Sequence, residues 1–139
     1  LPPPGYMKRV QEICARHEVL IIADEVMCGA YRGGETFFAS ERLGLRPDLL
    51  TLGKGIGAGF FPLSAVLTRQ EWVDEMKRGS GGFSHAQTFM MHPLASVVGV
   101  AVLEAMSRER VSQNVRDLSP VLIEGIRKGL SDHPHVGSV

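Results

Sequence analysis

The sequence predicts an α/β fold, with a mostly parallel sheet flanked by helices. Residues 19–23 (VLIIA) form a continuous apolar run rich in β-branched side chains, which is typical of a strand buried on both faces of a parallel sheet. An amphipathic helix is expected directly before it, over residues 6–17, because apolar side chains recur there at helical spacing. Residues 48–53 (DLLTLG) give a second short apolar strand. A helix followed by a buried strand is half of an α/β layer.

The remaining elements follow from turn residues and from periodicity. Gly and Pro mark the loops and the helix ends, because Gly tolerates a left-handed backbone and Pro suits the first helical turn. In chain order we expect a loop at residues 29–34, a short helix over residues 36–43 ended by Gly44, a third strand over residues 63–67, a helix over residues 69–78 ended by Gly79, a loop at residues 79–91, a helix from Pro93 to about Met106, and a helical stretch over residues 109–130 with a break or kink at Pro120.

Size and composition limit the classes of function. The 139 residues suffice for one ordinary domain core, and 44% apolar with 22% charged residues is the balance of a globular protein. Lys plus Arg equals Asp plus Glu at 15 each, so charge gives no case for nucleic acid or an anionic membrane as a partner. The longest apolar run, residues 95–106, is interrupted by Glu104 and is too short to span a bilayer. Cys14 and Cys28 lack a CxxC partner, which indicates reduced thiols in a cytoplasmic protein.

Lys54 differs from the other lysines, because it follows an apolar strand inside a run with glycine at every second position (GKGIGAG, residues 53–59). Glycine neighbours let the backbone take unusual angles and let a bulky group approach. An amine beside an apolar wall loses hydration and can then attack a carbonyl, which is the chemistry of a Schiff-base lysine. A P-loop is excluded because Gly55 follows the lysine and Asp48 replaces the first glycine, and a dinucleotide fingerprint is disfavoured because no helix follows. The alternative is an incidental lysine in a glycine-rich turn.

Asp24 directly follows the predicted strand of residues 19–23. Ligands of open α/β sheets bind beyond the carboxyl ends of the strands, so this carboxylate is either a helix cap or a site residue. If the chain stays extended there, Asp24 and Val26 point to one side and Glu25 points to the other. Val26 then packs on the face of a flat heteroaromatic ring while Asp24 reaches a ring nitrogen, and the anion keeps that nitrogen protonated.

Several motifs, in one order and at one set of spacings, resemble those of the class III aminotransferases, which use pyridoxal phosphate (PLP). They are the DEV triplet at residues 24–26, the G-x-x-R-x-G loop at residues 29–34, Pro47 and Asp48 before the second strand, Lys54 thirty residues after Asp24, Thr88 with Phe89, and the HPLA segment at residues 92–95. The resemblance covers nearly the whole chain. It implies part of the large, PLP-binding domain of a fold-type I transferase.

The resemblance also implies roles for four residues. Lys54 would carry PLP as a Schiff base and would move a proton between the substrate carbon and the cofactor as general acid and base. Asp24 would pair with the pyridine nitrogen, and Val26 would pack on the ring. Thr88 would bind the cofactor phosphate of the partner subunit, in a homodimer with shared active sites. The implied activity is that of a transaminase, which moves an amino group from an amine or amino acid, including an ω-amine, to a 2-oxo acid.

Three other interpretations stay open. The same core serves other PLP reactions, such as those of aminomutases, racemases and decarboxylases. The chain is otherwise a non-catalytic, truncated piece, or a PLP-free Schiff-base lyase, although a lyase has no use for Asp24 and Val26 aimed at a ring. We expect residues 1–107 to belong to the PLP-binding domain and residues 108–139 to lead through a connecting helix into a truncated C-terminal domain. The abrupt chain ends indicate an interior piece that is inactive alone.

Two further sets of residues are weaker candidates. Arg32 is a candidate contact for a substrate carboxylate, although an arginine beside glycines more often pins its own loop. The four histidines that lie late in the chain give a poor metal pattern, because the pairs lie far apart and no Cys or carboxylate completes a site. They are His85, His92, His133 and His135. His92 and Trp72 are more simply explained as packing residues.

Overall fold

The computed structural model describes residues 2–137 as an α/β arrangement of three strands and five α-helices, with one short 3-10 helix. The predicted fold class is therefore confirmed. The elements in chain order are α1 (Tyr6–Arg16), β1 (Ile22–Asp24), α2 (Ala39–Arg42), β2 (Leu49–Leu52), the 3-10 helix (Lys54–Gly57), β3 (Ala65–Thr68), α3 (Gln70–Gly79), α4 (Pro93–Arg108) and α5 (Val111–Leu130). Within the described residues, none of these helices is both long and apolar enough to cross a lipid bilayer.

The sheet has the strand order β1-β2-β3 and is mixed. β1 and β2 are parallel, with Asp24 opposite Thr51. β2 and β3 are antiparallel, with Leu52 opposite Ala65. The expected predominance of parallel pairing therefore holds for one of the two strand pairs described. Parallel strands need a long crossover, usually a helix, and the chain between β2 and β3 contains only the 3-10 helix, so it returns in the opposite direction.

The first strand lies later in the chain than predicted and is buried on one face. It covers Ile22–Asp24 rather than residues 19–23, because its pairing with the second strand begins where the backbone N–H groups of Asp48 and Leu49 donate to the carbonyl of Ile21. Ala23 is buried, whereas Ile22 is 63% exposed. The expectation of burial on both faces is therefore wrong for the chain described here. Side chains alternate between the faces of a strand, and only one face of this sheet is covered.

A small apolar core lies at the carboxyl end of β2. Its buried members are Ala30, Leu52 and Ile56, and partly buried Phe37, Phe38, Leu63, Ala65 and Met106 pack against them. Helix α4 approaches this core closely at Gly99, where an added β-carbon would lie 2.7 Å from Leu63 Cδ2. The core therefore fixes the backbone directly after β2, which is the segment that begins with Lys54.

Helix α5 runs without interruption through Pro120, so the break expected there is absent. Proline removes one backbone N–H and crowds the preceding turn. The preceding residue, Ser119, turns its hydroxyl back to donate to the carbonyl of Val115 at 2.6 Å. Pro120 itself lies on the exposed side of the helix, where water can satisfy the carbonyl that has lost its donor.

Candidate functional site at the carboxyl edge of the sheet

The candidate site is built where β1 and β2 end at the same edge of the sheet. Parallel pairing brings Asp24, the last residue of β1, opposite Thr51 in β2, and Lys54 follows two residues after β2 ends. The strands are held at this edge by the backbone N–H of Glu25, which donates to the carbonyl of Thr51 at 2.9 Å. Two residues separated by thirty positions in the sequence therefore follow adjacent strands at one edge.

The Asp24 carboxylate is exposed, and one of its two oxygens accepts hydrogen bonds. Its Oδ1 atom accepts a hydrogen bond from the backbone N–H of Val26 at 3.0 Å and one from Thr51 Oγ1 at 3.3 Å. Its Oδ2 atom has no hydrogen bond to any residue within 2–137. The chain does not stay extended after Asp24, because the N–H of Gly29 donates to the carbonyl of Glu25 at 2.8 Å and closes a turn. The assumption of an extended path through Val26 was therefore wrong, since the aspartate and the glycine together favour a turn.

Glu25 is a buried acid that the sequence argument passed over. Only 3% of it is exposed, and its two carboxylate oxygens accept hydrogen bonds from the backbone N–H groups of Ala39 at 3.0 Å and Ser40 at 2.6 Å. These are orphan donors of the first turn of α2. The available signal was the alternation of a strand, which turned Glu25 to the face opposite Asp24 and hence toward the interior.

Lys54 is exposed and begins the 3-10 helix with a backbone φ of 42°. A left-handed backbone costs a residue other than glycine about 1 kcal/mol or more, so the surroundings must hold it. The neighbouring glycines allow other residues to pack closely against this backbone. A β-carbon added at Gly55 would lie 2.8 Å from Ala30 Cβ, and one added at Gly53 would lie 3.4 Å from Val26 Cγ1. Glycine at these positions thus lets the residues 26–30 pack directly on both sides of Lys54.

A cavity of about 740 Å³ opens beside Lys54. Its volume lies in the range of small-molecule sites, roughly 300–1,000 Å³. It is lined by Val26, Met27, Ala30, Arg32, Lys54, Gly55, Ala58, Gly59 and Met106. The structure therefore brings Lys54, Val26 and Arg32 to one cavity. Asp24 lies at the same edge of the sheet but is not one of the lining residues.

Arg32 supplies a second positive charge to this cavity. Its side chain is exposed and makes no hydrogen bond or ion pair with another residue in the described part of the chain. It sits in a loop, residues 29–38, in which the backbone φ angles of Ala30 and Tyr31 are 54° and 65°. The edge of the Tyr31 ring packs on Phe37 at a centroid distance of 5.3 Å. Within the described residues, no side-chain hydrogen bond or ion pair of Arg32 supports the expectation that this arginine pins its own loop.

Thr88 lies apart from the cavity, in the loop before α4. It is exposed, and its neighbours Phe89 and Met91 are 73% and 86% exposed. His92 stacks at 5.4 Å from the Phe61 ring and 5.8 Å from the Phe89 ring, which supports its packing role. Trp72 packs under the Arg69 guanidinium, 5.3 Å from its ring centroid. Over residues 2–137, no group of three or more His, Cys, Asp or Glu side chains is placed to hold a metal ion.

Comparison with known proteins supplies the context for this geometry. The family model described as aminotransferase class-III matches residues 1–139. A probable aminotransferase of Mycobacterium tuberculosis is 41% identical over 137 residues, a match that covers 99% of this chain and 29% of that protein. The putrescine–pyruvate aminotransferase of Pseudomonas aeruginosa is 35% identical over 137 residues, which is 99% of this chain and 30% of that protein. The chain thus spans about three tenths of the length of these relatives.

A solved structure agrees in its backbone. The crystal structure of the ω-transaminase from Pseudomonas jessenii in complex with PMP has a TM-score of 0.89 to this chain at 29% sequence identity. The match covers 99% of this chain and 31% of that one. The described arrangement of strands and helices is thus the arrangement of one part of a known transaminase.

Proposed function

Because this chain belongs to the class III aminotransferases, we propose that the gene product at its natural length is a PLP-dependent transaminase. It would move an amino group from an amine or amino acid to a 2-oxo acid, with Lys54 as the residue that carries the cofactor. The observation that carries this proposal is the shared cavity of Lys54 and Val26 at the carboxyl edge of two parallel strands. Ligands of α/β sheets bind at such edges.

The groups around the cavity suit a flat, anionic aldehyde such as PLP. An exposed lysine amine can attack the aldehyde carbon, and Val26 offers an apolar wall to a ring face. The free Oδ2 atom of Asp24 is an acceptor for a ring N–H at the same sheet edge. Glycine at 53 and 55 lets Val26 and Ala30 pack against the backbone on both sides of the lysine.

Each residue then has a separate task. When bound, PLP supplies an electron-withdrawing pyridinium ring next to the reacting carbon. Asp24 holds the proton on the ring nitrogen and is itself oriented by the Val26 N–H and the Thr51 hydroxyl. Val26 fixes the plane of the ring. With the cofactor bound, Lys54 Nζ would act as general acid and base, and it would move a proton between the substrate carbon and the cofactor.

The substrate class follows from Arg32 and from the relatives. A free guanidinium at the cavity suits the carboxylate of a 2-oxo acid, which it can bind through two parallel hydrogen bonds. The name of the Pseudomonas aeruginosa relative refers to putrescine, which is a terminal diamine, and to pyruvate. We therefore propose a terminal amine as donor and a small 2-oxo acid such as pyruvate as acceptor.

The protein is proposed to act as a cytoplasmic homodimer with shared active sites. The loop that carries Thr88 exposes Phe89 and Met91, and this apolar surface suits contact with a second subunit. Thr88 would then bind the cofactor phosphate of the partner subunit. Cys14 and Cys28 are both free thiols in the structure, which supports a reducing compartment.

The domain assignment is a proposal of the same kind. Residues 1–107 would belong to the PLP-binding domain, and residues 108–139 would lead into the C-terminal domain. The chain turns at Glu109 and Arg110 between α4 and α5, and Arg110 has a left-handed φ of 51°. Within the described residues, helix α5 has no buried side chain, as expected for a connecting helix whose packing partners lie elsewhere.

The test is the replacement of Lys54 in the protein at its natural length. Lys54→Arg keeps the cation but lacks a nucleophilic amine, so transamination should fall by at least about a hundredfold, the usual contribution of a catalytic acid or base. The visible absorbance of a lysine-bound cofactor should also disappear. Lys77→Arg, on the exposed face of α3, is the matched control and should behave as wild type. Turnover of Lys54→Arg at the wild-type rate would refute the assignment.

A further inference from the structure

Glu25 connects two segments that meet at the cavity. Its backbone N–H joins β2 through the carbonyl of Thr51, and its carbonyl closes the turn to Gly29. Its buried carboxylate accepts hydrogen bonds from the N–H groups of Ala39 and Ser40 in the first turn of α2. The residues between these two anchor points form the loop of residues 29–38, which carries Arg32. Glu25 therefore closes this loop at both of its ends.

A short path of contacts leads from the Glu25 carboxylate to Arg32. The carboxylate holds Ala39, and a β-carbon added at Gly33 would lie only 2.8 Å from Ala39 Cβ. Gly33 is the neighbour of Arg32 in the chain. From the other end, the N–H of Arg32 donates to the carbonyl of Gly29 at 3.3 Å, and Gly29 in turn donates to Glu25. Arg32 is thus tied on both sides to groups that Glu25 fixes.

The loop needs such a restraint, because its backbone is not in a relaxed conformation. Ala30 and Tyr31 both have a left-handed φ, which only a surrounding structure can maintain. The Arg32 side chain itself makes no hydrogen bond or ion pair within the described residues. Besides the Glu25 carboxylate, one side-chain hydrogen bond ties this loop to a distant element, from Ser112 Oγ to the carbonyl of Glu35 at 2.6 Å. The Glu25 carboxylate is therefore one of the restraints on the loop that carries Arg32, beside the packing of Ala30 and Phe37 in the core.

We propose that Glu25 is a positioning residue that holds Arg32 over the cavity and thereby sets the affinity for substrates that carry a carboxylate. This inference rests on the proposed transaminase function and adds a source of acceptor specificity to it. The carboxylate is required as such, because it accepts from two N–H donors at once. An amide of the same shape would turn its NH₂ group toward one of those donors and release it.

The experiment uses Glu25→Gln in the natural-length protein, with pyruvate and an aliphatic aldehyde as alternative amino acceptors. The KM for pyruvate should rise about tenfold, the effect of misplacing one charge-assisted hydrogen bond, while the kcat at saturation stays near wild type. The KM for the aldehyde, which has no carboxylate, should be unchanged, as should the absorbance of the lysine-bound cofactor. Because Glu25 acts through Arg32, Glu25→Gln in an Arg32→Ala background should raise the KM no further.

The matched control is Glu41→Gln. Glu41 also binds the start of α2, through the N–H of Phe38 at 3.1 Å, but it is exposed and accepts no hydrogen bond from Ala39 or Ser40. It should leave both KM values unchanged. Val102→Ala truncates a buried side chain of α4, so it should lower stability without changing the ratio of the two KM values. Equal shifts for both acceptors, an equal effect of Glu41→Gln, or additivity with Arg32→Ala would each overturn the proposal.

A second variant decides the matter if Glu25→Gln does not fold. Ala39→Pro deletes one N–H donor to the carboxylate and leaves Glu25 in place. The first position of a helix accepts proline, and the extended backbone of Phe38, with φ −109° and ψ 136°, suits a residue before proline. The same selective rise in the pyruvate KM is expected. A wild-type protein without transaminase activity would reject the proposed function itself, whereas an active wild type with normal Glu25→Gln and Ala39→Pro variants would reject only this inference.

Discussion

Asp24, Glu25 and Val26 are consecutive in the chain, yet their side chains meet three different surroundings. Asp24 is exposed and keeps one oxygen free, Glu25 is buried against two backbone amides, and Val26 packs beside Gly53 at the cavity. Strand alternation separates the two acids, and the turn that follows separates the valine from both. Three adjacent residues can therefore provide charge, anchoring and an apolar wall without competing for the same space.

The free oxygen of Asp24 leads to a prediction for Asp24→Asn. Asparagine keeps an acceptor for the Val26 N–H and the Thr51 hydroxyl, so the protein should fold normally. It has no negative charge to hold a ring proton, and kcat should fall about 10- to 100-fold, the value of one hydrogen bond to a charged group. Steady-state kinetics measure this loss. Asp74→Asn, a half-exposed acid of α3 paired with Lys77, is the control, and equal kcat values for the two variants would contradict the proposed role.

At the scale of elements, the site depends on how closely the 3-10 helix approaches the loop of residues 29–38. Gly55 faces Ala30 with no room for a side chain, and Gly99 brings α4 onto Leu63 from another direction. Packed interiors tolerate little added volume, so these contacts fix the position of the backbone that carries Lys54. The glycine spacing visible in the sequence was thus a packing requirement as well as a conformational one.

Gly55→Ala should therefore disturb stability and cofactor binding together. The added methyl group would lie 2.8 Å from Ala30 Cβ, and relief of this overlap should cost about 1–3 kcal/mol of unfolding free energy. Gly79→Ala at the end of α3 meets nothing within 4 Å and should be neutral or slightly stabilising, by about 0.4–1 kcal/mol. Denaturant titration of the two variants compares these energies. Equal stability of Gly55→Ala and wild type would show that the two segments are less tightly packed than described.

The sequence predicted the order and type of these elements better than their limits. The helix at residues 70–79 follows from its pattern and from Gly79, and the helix at residues 93–108 follows from Pro93 at its first position. The first strand moved because hydrogen bonds to residues 48 and 49, remote in the chain, decide where pairing begins. The third strand was predicted but its antiparallel direction was not, because pairing direction depends on what fills the connection, which an apolar pattern does not report.

The molecule as a whole exposes far more surface than a compact protein of its mass. Its accessible surface is 10668 Å², against roughly 7,100 Å² expected for 15.1 kDa from the usual scaling with mass. Much of the excess is apolar. The open face of the sheet shows Ile22 and Val66 at 63% and 66% exposure, and α5 shows Val121 at 69%. Exposed apolar area of this kind marks surfaces that other protein segments cover.

The 139-residue chain expressed by itself is therefore expected to be inactive and to self-associate. Light scattering after size-exclusion chromatography should give a mass well above 15.1 kDa, and a dye that binds apolar surface should fluoresce strongly. Ile22→Lys with Val66→Lys should reduce the association, because both side chains lie on the open sheet face. A monomeric chain with cooperative unfolding and weak dye binding would contradict this expectation.

The sequence by itself determined the α/β class, the family resemblance and the lysine and carboxylate that follow two strands, because these depend on local pattern and on motif order. Only the tertiary structure decided which side chains share a cavity. It placed Arg32 and Lys54 at one cavity and left Asp24 at the sheet edge, outside the residues that line this cavity. It also buried Glu25 against α2. Such meetings depend on turns and on packing between distant segments, and a pattern read along one chain does not contain those distances.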